Sequence, residues 1–379
     1  MLTNLRGRST ACALGSVLLV LALVAAACGG DDGGEEESSD ATPTTSSTTS
    51  TSSTTTTTLP PGPFAPLTGE TVDEDDELLE RGAVVVKISN NEGAGGSAQD
   101  FNNWRGLDQA DIVIEERIEI DATRFAAVYH SVLPESVGPI RSGRTSDLEL
   151  LSNLGGPVLV YSGANPSVTG QLRSLESEGL VTLVVDRGTN VDLVRDTEFR
   201  APDNLFSNLV EIEEKYGEDA EVATALFEYR QAGQDERSAG VDGPGVTVEG
   251  FDIVSFVWDE MRGYVRVQDG EIHTTLDETP LVFTNIVVFE TEYRPSVFAP
   301  GSVDAEIVGS GVVNLLIDGQ RHEGTWERES REDAYSFFDV DGEPLLLDPG
   351  QTWVTLVPAG SYSLDVTAEI AALVTEGDG

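Results

Sequence analysis

The sequence predicts an α+β protein, with a mixed α/β part over residues 63–230 and a mostly antiparallel, β-rich part over 246–358. Three observations carry that expectation. Up to about residue 230, short β-branched runs alternate with helix-start signals. Beyond residue 245 the pattern becomes strict apolar/polar alternation, punctuated by Asp318-Gly319 and Asp341-Gly342, dipeptides suited to hairpin turns. Between the two parts, 231–245 is rich in Gly, Asp and Gln and reads as a linker.

Arg6 and Arg8 precede an apolar run over 11–24, then Ala25-Ala26-Ala27 and Cys28. A charged start, an apolar run and a small-residue cleavage site predict a secretory signal over 1–27. A cysteine directly after it predicts a lipoprotein whose Cys28 thiol is acylated. The folded part is then expected outside the cytoplasm, on the outer face of the bacterial cell membrane. An uncleaved anchor is the alternative, but the run is short against the roughly 20 apolar residues that span a bilayer. Cys12 is the other cysteine and lies within the apolar run, so no disulfide framework is expected and thiol-dependent catalysis is excluded. Residues 28–62 are acidic and Gly-rich, then Ser/Thr/Pro-rich. Such a segment cannot bury enough apolar surface to offset its ordering entropy and is expected to be a disordered tether. Its reach is on the order of 30–40 Å.

The formal net charge is −45, and Lys87 and Lys215 are the two lysines. A surface this acidic repels nucleic acid and anionic lipid headgroups. It fits either solubility in a salty exterior or a cationic partner.

In chain order, strands are expected at 83–88, 112–116, 124–132, 157–161 and 180–185. Ser146 with Glu149 forms a capping-box pattern ahead of Leu150 and Leu151. Asn165-Pro166 places a cap residue before a proline at the first helical position, opening a helix towards Leu175. Ser207 is expected to cap a helix running to about Tyr216. In the second part, strands are expected at 253–258, 264–267, 285–290, 312–317, 321–327 and 353–357. Residues 359–379 read as a loosely attached acidic tail with a short helix over 368–375.

The chemistry-bearing stretch is Gly138-Pro139-Ile140-Arg141-Ser142-Gly143-Arg144-Thr145-Ser146-Asp147. Arg141, Ser142 and Arg144 stand at a helix entrance, where free N–H groups favour an anion, and an arginine fork holds carboxylate or phosphate through paired hydrogen bonds. In a chain with so many carboxylates, internal salt bridges are the competing reading. Tyr161, Ser162 and Asn165 follow the next strand, and Arg200 and Asn204 lie in a third loop. Convergence of these loops would make one ligand cleft at the carboxyl ends of the strands; Asn165 also reads as a plain helix cap. The HExxH, GxSxG and Ser-x-x-Lys patterns are absent, so the metalloprotease, α/β-hydrolase and penicillin-binding mechanisms lose their signatures. His130, His273 and His322 lack metal-ligand spacing, and Asp339-Val340-Asp341-Gly342 lacks the downstream glutamate of a calcium loop. No cofactor, metal site or catalytic set is expected.

The ordered motifs resemble the YerB-like lipoproteins, domain of unknown function 3048, over about residues 66–358. The resemblance rests on Pro66-Leu67-Thr68-Gly69, Leu107-Asp108-Gln109-Ala110-Asp111-Ile112-Val113, Thr123-Arg124-Phe125 and the Gly138 to Arg144 stretch. It continues through Tyr161-Ser162-Gly163-Ala164-Asn165-Pro166, Arg200-Ala201-Pro202-Asp203-Asn204-Leu205, Tyr293-Arg294-Pro295, Gly324-Thr325-Trp326 and Pro349-Gly350-Gln351-Thr352-Trp353-Val354. It implies a secreted lipoprotein with an N-terminal α/β part and a β-rich C-terminal part forming layered sheets, and it implies no activity. The family pattern places a histidine where this chain has Asp203, so a mechanism relying on that histidine cannot operate here.

The expected function is a membrane-anchored envelope lipoprotein that binds a polar or anionic wall ligand (glycan or peptide) or an envelope protein. Alternatives are a wall-active hydrolase or transferase using Tyr161, Ser162 and Arg141, and an assembly scaffold presenting an edge of its β part.

Overall fold

The computed structural model describes residues 62–90, 103–119, 122–185, 192–231, 234, 239–250 and 252–375. The expectations for the signal segment, Cys28 and nearly all of the tether lie outside the described residues.

The first part supplies β1 (Val84–Ser89), β2 (Ile112–Ile118), β3 (Ala122–Tyr129), α1 (Asp147–Leu150), β4 (Val158–Tyr161), α2 (Pro166–Ser177), β5 (Thr182–Val185), β6 (Val194–Arg195), β7 (Leu205–Phe206) and α3 (Leu209–Tyr216). Next come β8 (Val241–Asp242), β9 (Gly245–Glu249), β10 (Ile253–Asp259), β11 (Gly263–Gln268), β12 (Glu271–Ile272), β13 (Val282–Phe283), β14 (Asn285–Glu290) and β15 (Tyr293–Pro295). The chain closes with β16 (Val303–Ala305), β17 (Gly309–Ile317), β18 (Gln320–Arg328), β19 (Ser336–Asp339), β20 (Thr352–Val357), β21 (Tyr362–Ser363) and α4 (Ala368–Thr375).

One sheet, ordered β19-β18-β17-β14-β20-β2-β3-β1-β4-β5, draws on both parts of the sequence. The junction is β2 with β20, which run parallel from Ile112↔Thr352 to Glu115↔Thr355. The boundary expected at 231–245 is therefore a boundary in sequence, and the strands on its two sides share a ladder. Within it, β8 pairs with β18. Strands β1 and β20 are buried at every position, which explains why they read as continuous apolar runs: both faces of the sheet are covered.

A second sheet, β12-β11-β10-β9-β21 with β13 beside β11, covers one face. Trp353 sits in the core shared by the two sheets, with the rings of Phe125, Phe283 and Phe256 at 5.0, 5.0 and 5.7 Å. The opposite face carries Leu172 and Leu175 of α2 together with Phe227, Tyr335 and Phe337. The helices are few and lie against a sheet-dominated body, so the layered α+β architecture holds.

Three local expectations are corrected. Ser146 makes no side-chain cap on α1, which is a single turn. Asp147 at its start instead accepts the Arg144 N–H through Oδ2 at 2.6 Å. The cap of α3 is Asn208, whose Oδ1 accepts from Val210 N at 3.0 Å and Glu211 N at 3.4 Å. The Ser207 hydroxyl donates to the Asp192 carbonyl instead. The C-terminal segment is docked: β21 pairs with β9, and Val374 of α4 is buried with Val257, Val265 and Val267. Burying one such valine contributes about 1.5–3 kcal/mol, enough to hold a two-turn helix that acidic composition alone would leave free. Asn165 caps α2 as expected, accepting from Val168 N at 3.0 Å. Around Asp341-Gly342 the chain turns through the Asp339 carboxylate, which accepts from Asp341 N and Glu343 N, both at 2.9 Å.

Candidate functional site

Strands β1, β4 and β5 are parallel, so their carboxyl ends lie along one edge, where open α/β sheets place ligands. The segment 138–143 is threaded across this edge. Arg141 N donates to Lys87 O in the second half of β1, and Ser162 N, just past β4, donates to Arg141 O, each at 2.8 Å. Gly143 N reaches Gly163 O at 2.9 Å, and Ile140 N reaches Leu205 O at 2.7 Å. The three sequence loops thus meet, held by main-chain bonds.

Their side chains take unequal parts. Arg144 grips Glu119, with Nε to Oε2 at 3.0 Å and Nη2 to Oε1 at 2.8 Å, and its Nη1 donates to the Ser142 and Gly143 carbonyls. Its fork is filled by internal partners, and it is corrected from ligand clamp to structural residue. Arg141 is different: among the described residues its ion-pair partner is Asp203, with Oδ1 3.7 Å from Nε, too long for a hydrogen bond. Ser142 Oγ lies 3.4 Å from Ser162 O, so both serines belong to the cluster.

The remaining expected residues fall outside it. Tyr161 is 1% exposed and packs in the helix-side core. Asn165 is an exposed helix cap. Asn204 is buried and ties its own loop, accepting from Arg195 Nη1 and donating to the Asp196 and Phe199 carbonyls. Arg200 is exposed and contributes its carbonyl to Asp203 N. The third loop enters the cluster through Asp203, because Asn204 is spent on closing the loop.

Beneath the arginines lies a buried ion cluster that residue patterns left unmarked. Lys87 Nζ donates to Glu116 Oε1 at 2.5 Å and to Asp147 Oδ1 at 2.6 Å, with all three side chains fully buried. Burial, and then Asp147, raises the Glu116 pKa, while Lys87 opposes the shift. Arg124, at the start of β3 opposite Glu116 and Ser89, is 1% exposed. Burial first, and then the charges of Arg144 and Arg141, pull its pKa down to about 9, so it stays protonated at neutral pH. Among the described residues, Arg124 Nε and Nη1 have no hydrogen-bond partner, and neither has Arg141 Nε. Leaving a buried donor unpaired costs about 1–3 kcal/mol, more when it is charged; the charges of Glu116 and Glu119 favour the Arg124 cation, yet its two unbonded nitrogens still call for an explanation.

A hairpin of β15 and β16 packs over this cluster. Ser296 Oγ meets Thr145 Oγ1 at 3.2 Å, Ser302 Oγ donates to Glu119 Oε2 at 3.3 Å, and Ala305 N lies 3.5 Å from Ser146 Oγ. The sequence did hold a signal for the missed residues. Lys87, one of only two lysines, interrupts an apolar run, and strand alternation puts it on the same sheet face as Glu116 and Arg124. On the opposite face Arg266 meets Glu115 at 3.2 and 3.3 Å and lies over the Trp353 ring at 4.7 Å; this pair joins the two sheets. His130 is buried, and burial lowers its pKa. Among the described residues no three His, Cys, Asp or Glu side chains gather as a metal site, and no helix is long and apolar enough to cross a membrane.

The family described as "Protein of unknown function (DUF3048) N-terminal domain" matches residues 67–222, and its C-terminal domain matches 246–354. A protein of Bacillus subtilis (strain 168) named "Putative lipoprotein YerB" is 30% identical over 324 residues, covering 83% of this chain and 89% of its own. The crystal structure of YerB protein from Bacillus subtilis superimposes with a TM-score of 0.65 at 25% identity, over 79% of this chain and 98% of that one.

Proposed function

Because the chain belongs to the YerB-like DUF3048 family, we propose that it is a lipid-anchored, extracytoplasmic envelope protein that binds an anion-bearing wall ligand at Arg124 and Arg141. The name of the Bacillus subtilis relative supports the lipoprotein reading, as does Cys28 behind its three alanines. The observation that carries the binding reading is Arg124, buried with two guanidinium nitrogens unpartnered among the described residues. With 67 acidic against 22 basic residues, internal partners were abundant, and Arg144 took one. An incoming carboxylate or phosphate would accept from Arg124 and Arg141 and remove the unpaired-donor cost. The burial of Tyr161 counts against a hydrolase or transferase that needs its phenol at a reacting group.

The test is calorimetric titration of the full chain in detergent with inorganic phosphate and with succinate. Stem peptides ending in free carboxylates and soluble phosphate polymers then separate the two sources of anion. Saturable binding is expected, weakened about tenfold or more by Arg124→Gln and by Arg141→Gln, since a charged hydrogen bond is worth about 1.5–3 kcal/mol. Arg144→Gln should lower the melting temperature while leaving affinity within about threefold. Heat-free titrations with all four ligands, on protein shown to be folded, would end this reading.

A further inference from the structure

A second surface, independent of the arginine cluster, lies at the start of β17. The β17–β18 hairpin closes through Asp318 and Gly319, both with positive φ (50° and 70°), and its last pair is Ile317↔Gln320. A two-residue loop makes that flanking pair mutually hydrogen-bonded. Since bonding direction alternates along an antiparallel strand, Val313, Gly311 and Gly309 bond towards β18. Leu316, Asn314, Val312 and Ser310 must bond the other way, towards β14.

The β14–β17 ladder stops at Phe289↔Val313. That wide pair is closed by Glu290 N–H on the Val312 carbonyl, so the next bond in line would run from Val312 N–H to Glu290 O. The Trp326 indole takes that carbonyl at 3.0 Å instead. Gly311 permits this: a Cβ there would stand 2.5 Å from Trp326 Nε1. The chain after β14 then turns away, with Thr291 N on Val357 O and Thr291 Oγ1 on Glu306 O. Three main-chain groups, Val312 N–H and the Ser310 N–H and C=O, are left facing a groove of about 790 Å³. Gly309, Ser310 and Val312 are exposed. Among the described residues no main-chain partner reaches them.

Open strand edges are normally covered or blunted, because they pair with any extended chain that fits. This one interrupts the interior of a sheet, and its width suits a few residues. The groove is lined by Glu290, Glu292 and Glu306 against Arg117 and Arg294, and Arg294 is held by Glu292 and Glu306 at 3.2 and 3.3 Å. Three carboxylates against two guanidiniums, in a chain whose formal net charge is −45, favour cationic over anionic side chains in the groove.

We infer that the edge formed by Ser310 and Val312 receives a short, extended, basic segment of a partner protein as an added β-strand, in the antiparallel sense that β14 abandons. Main-chain bonds supply the affinity and the acidic rim supplies the choice of partner.

The test uses the full chain in detergent and a fluorescein-labelled hexapeptide of alternating Lys and Val, read by fluorescence polarisation. Saturable binding is expected, with a Glu/Val peptide at least about tenfold weaker. N-methylation of the Lys/Val peptide at alternate residues, which removes its donors, should cost a similar factor. Ser310→Pro, which removes the groove-side N–H at a position where β18 does not need it, should do the same. Ser310→Ala should leave affinity unchanged within about twofold, because the contact is main-chain. Should Ser310→Pro misfold, amide exchange on the unaltered protein replaces it, with slowing at Val312 and Ser310 expected on peptide addition. Lack of saturation by about 1 mM peptide, equal affinity for the acidic or N-methylated peptide, or unchanged exchange at both amides would overturn the inference. Arg124→Gln leaves this binding intact, so the two sites fail or stand separately.

Discussion

At the residue scale, one pattern recurs: polar groups taken into the interior are placed by the strand ends. Lys87 between Glu116 and Asp147 shows why such a group is retained. Replacing one member of a buried ion cluster leaves the others uncompensated, at about 3–5 kcal/mol, so the triad is locked once formed. Asp111 is a second case. Its carboxylate accepts from His130 N at 2.5 Å and Ser131 N at 2.9 Å, and from the Ser131 hydroxyl. Burial outweighs these bonds and raises its pKa from 3.8 to about 6. A raised folded-state pKa means the native protein holds the proton more tightly than the unfolded chain. The stability this contributes is complete below pH 3.8 and is lost as pH rises through about 6. Chemical-shift titration of Asp111 should give a midpoint near 6, and urea denaturation should show Asp111→Asn flattening the stability profile between those values. A midpoint near 4 would contradict the burial argument. Arg124 was legible as a motif residue, yet nothing in Thr123-Arg124-Phe125 says that its nitrogens lack partners. That depends on where Glu119 goes, and Glu119 goes to Arg144.

At the scale of elements, strand positions were the most legible feature. The runs at 84–89, 112–118 and 285–290 occur where β-branched and apolar residues cluster, because a strand's period is written in consecutive residues. The Asp318-Gly319 turn was equally plain, since few residues accept positive φ twice in succession. Gly319 is also crowded: a Cβ there would lie 2.7 Å from Trp258 Nε1. Gly319→Val combines a strained backbone with that clash and should destabilise by about 1–3 kcal/mol, lowering the thermal midpoint measured by circular dichroism. An unchanged midpoint would mean that the hairpin is re-formed with another turn. Helix starts were less legible. Ser146, Ser207 and Asn208 all carry cap-competent side chains, and the choice among them follows from which groups the surrounding loops already occupy. Asp147 is taken by Lys87 and Arg144 N, so α1 begins on an ion cluster instead of a capping box.

At the scale of the whole molecule, the sequence divides where the ladder does not. The family matches stop at 222 and resume at 246, yet β20 lies between β14 and β2, and Trp353 on it packs against Phe125 from one part and Phe256 and Phe283 from the other. Residues 62–375 should therefore unfold in a single transition, with tryptophan fluorescence and far-ultraviolet circular dichroism coincident. Trp353→Ala should cost about 3–5 kcal/mol and shift both probes together. Two separated transitions would show that the parts are independent domains despite the shared sheet. The sequence by itself determined the family, the places of the principal strands, the tight turn and which three loops carry the polar residues. These are properties of neighbouring residues, set by side-chain period and backbone preference. Only the tertiary structure decided that the two parts share one sheet, that the three polar loops meet, that among the described residues Arg144 is filled while Arg124 and Arg141 keep unpartnered donors, and that Trp326 opens the edge of β17. Each of those is a competition for hydrogen-bond partners between residues far apart in the chain, and its outcome depends on distances that only the folded molecule sets.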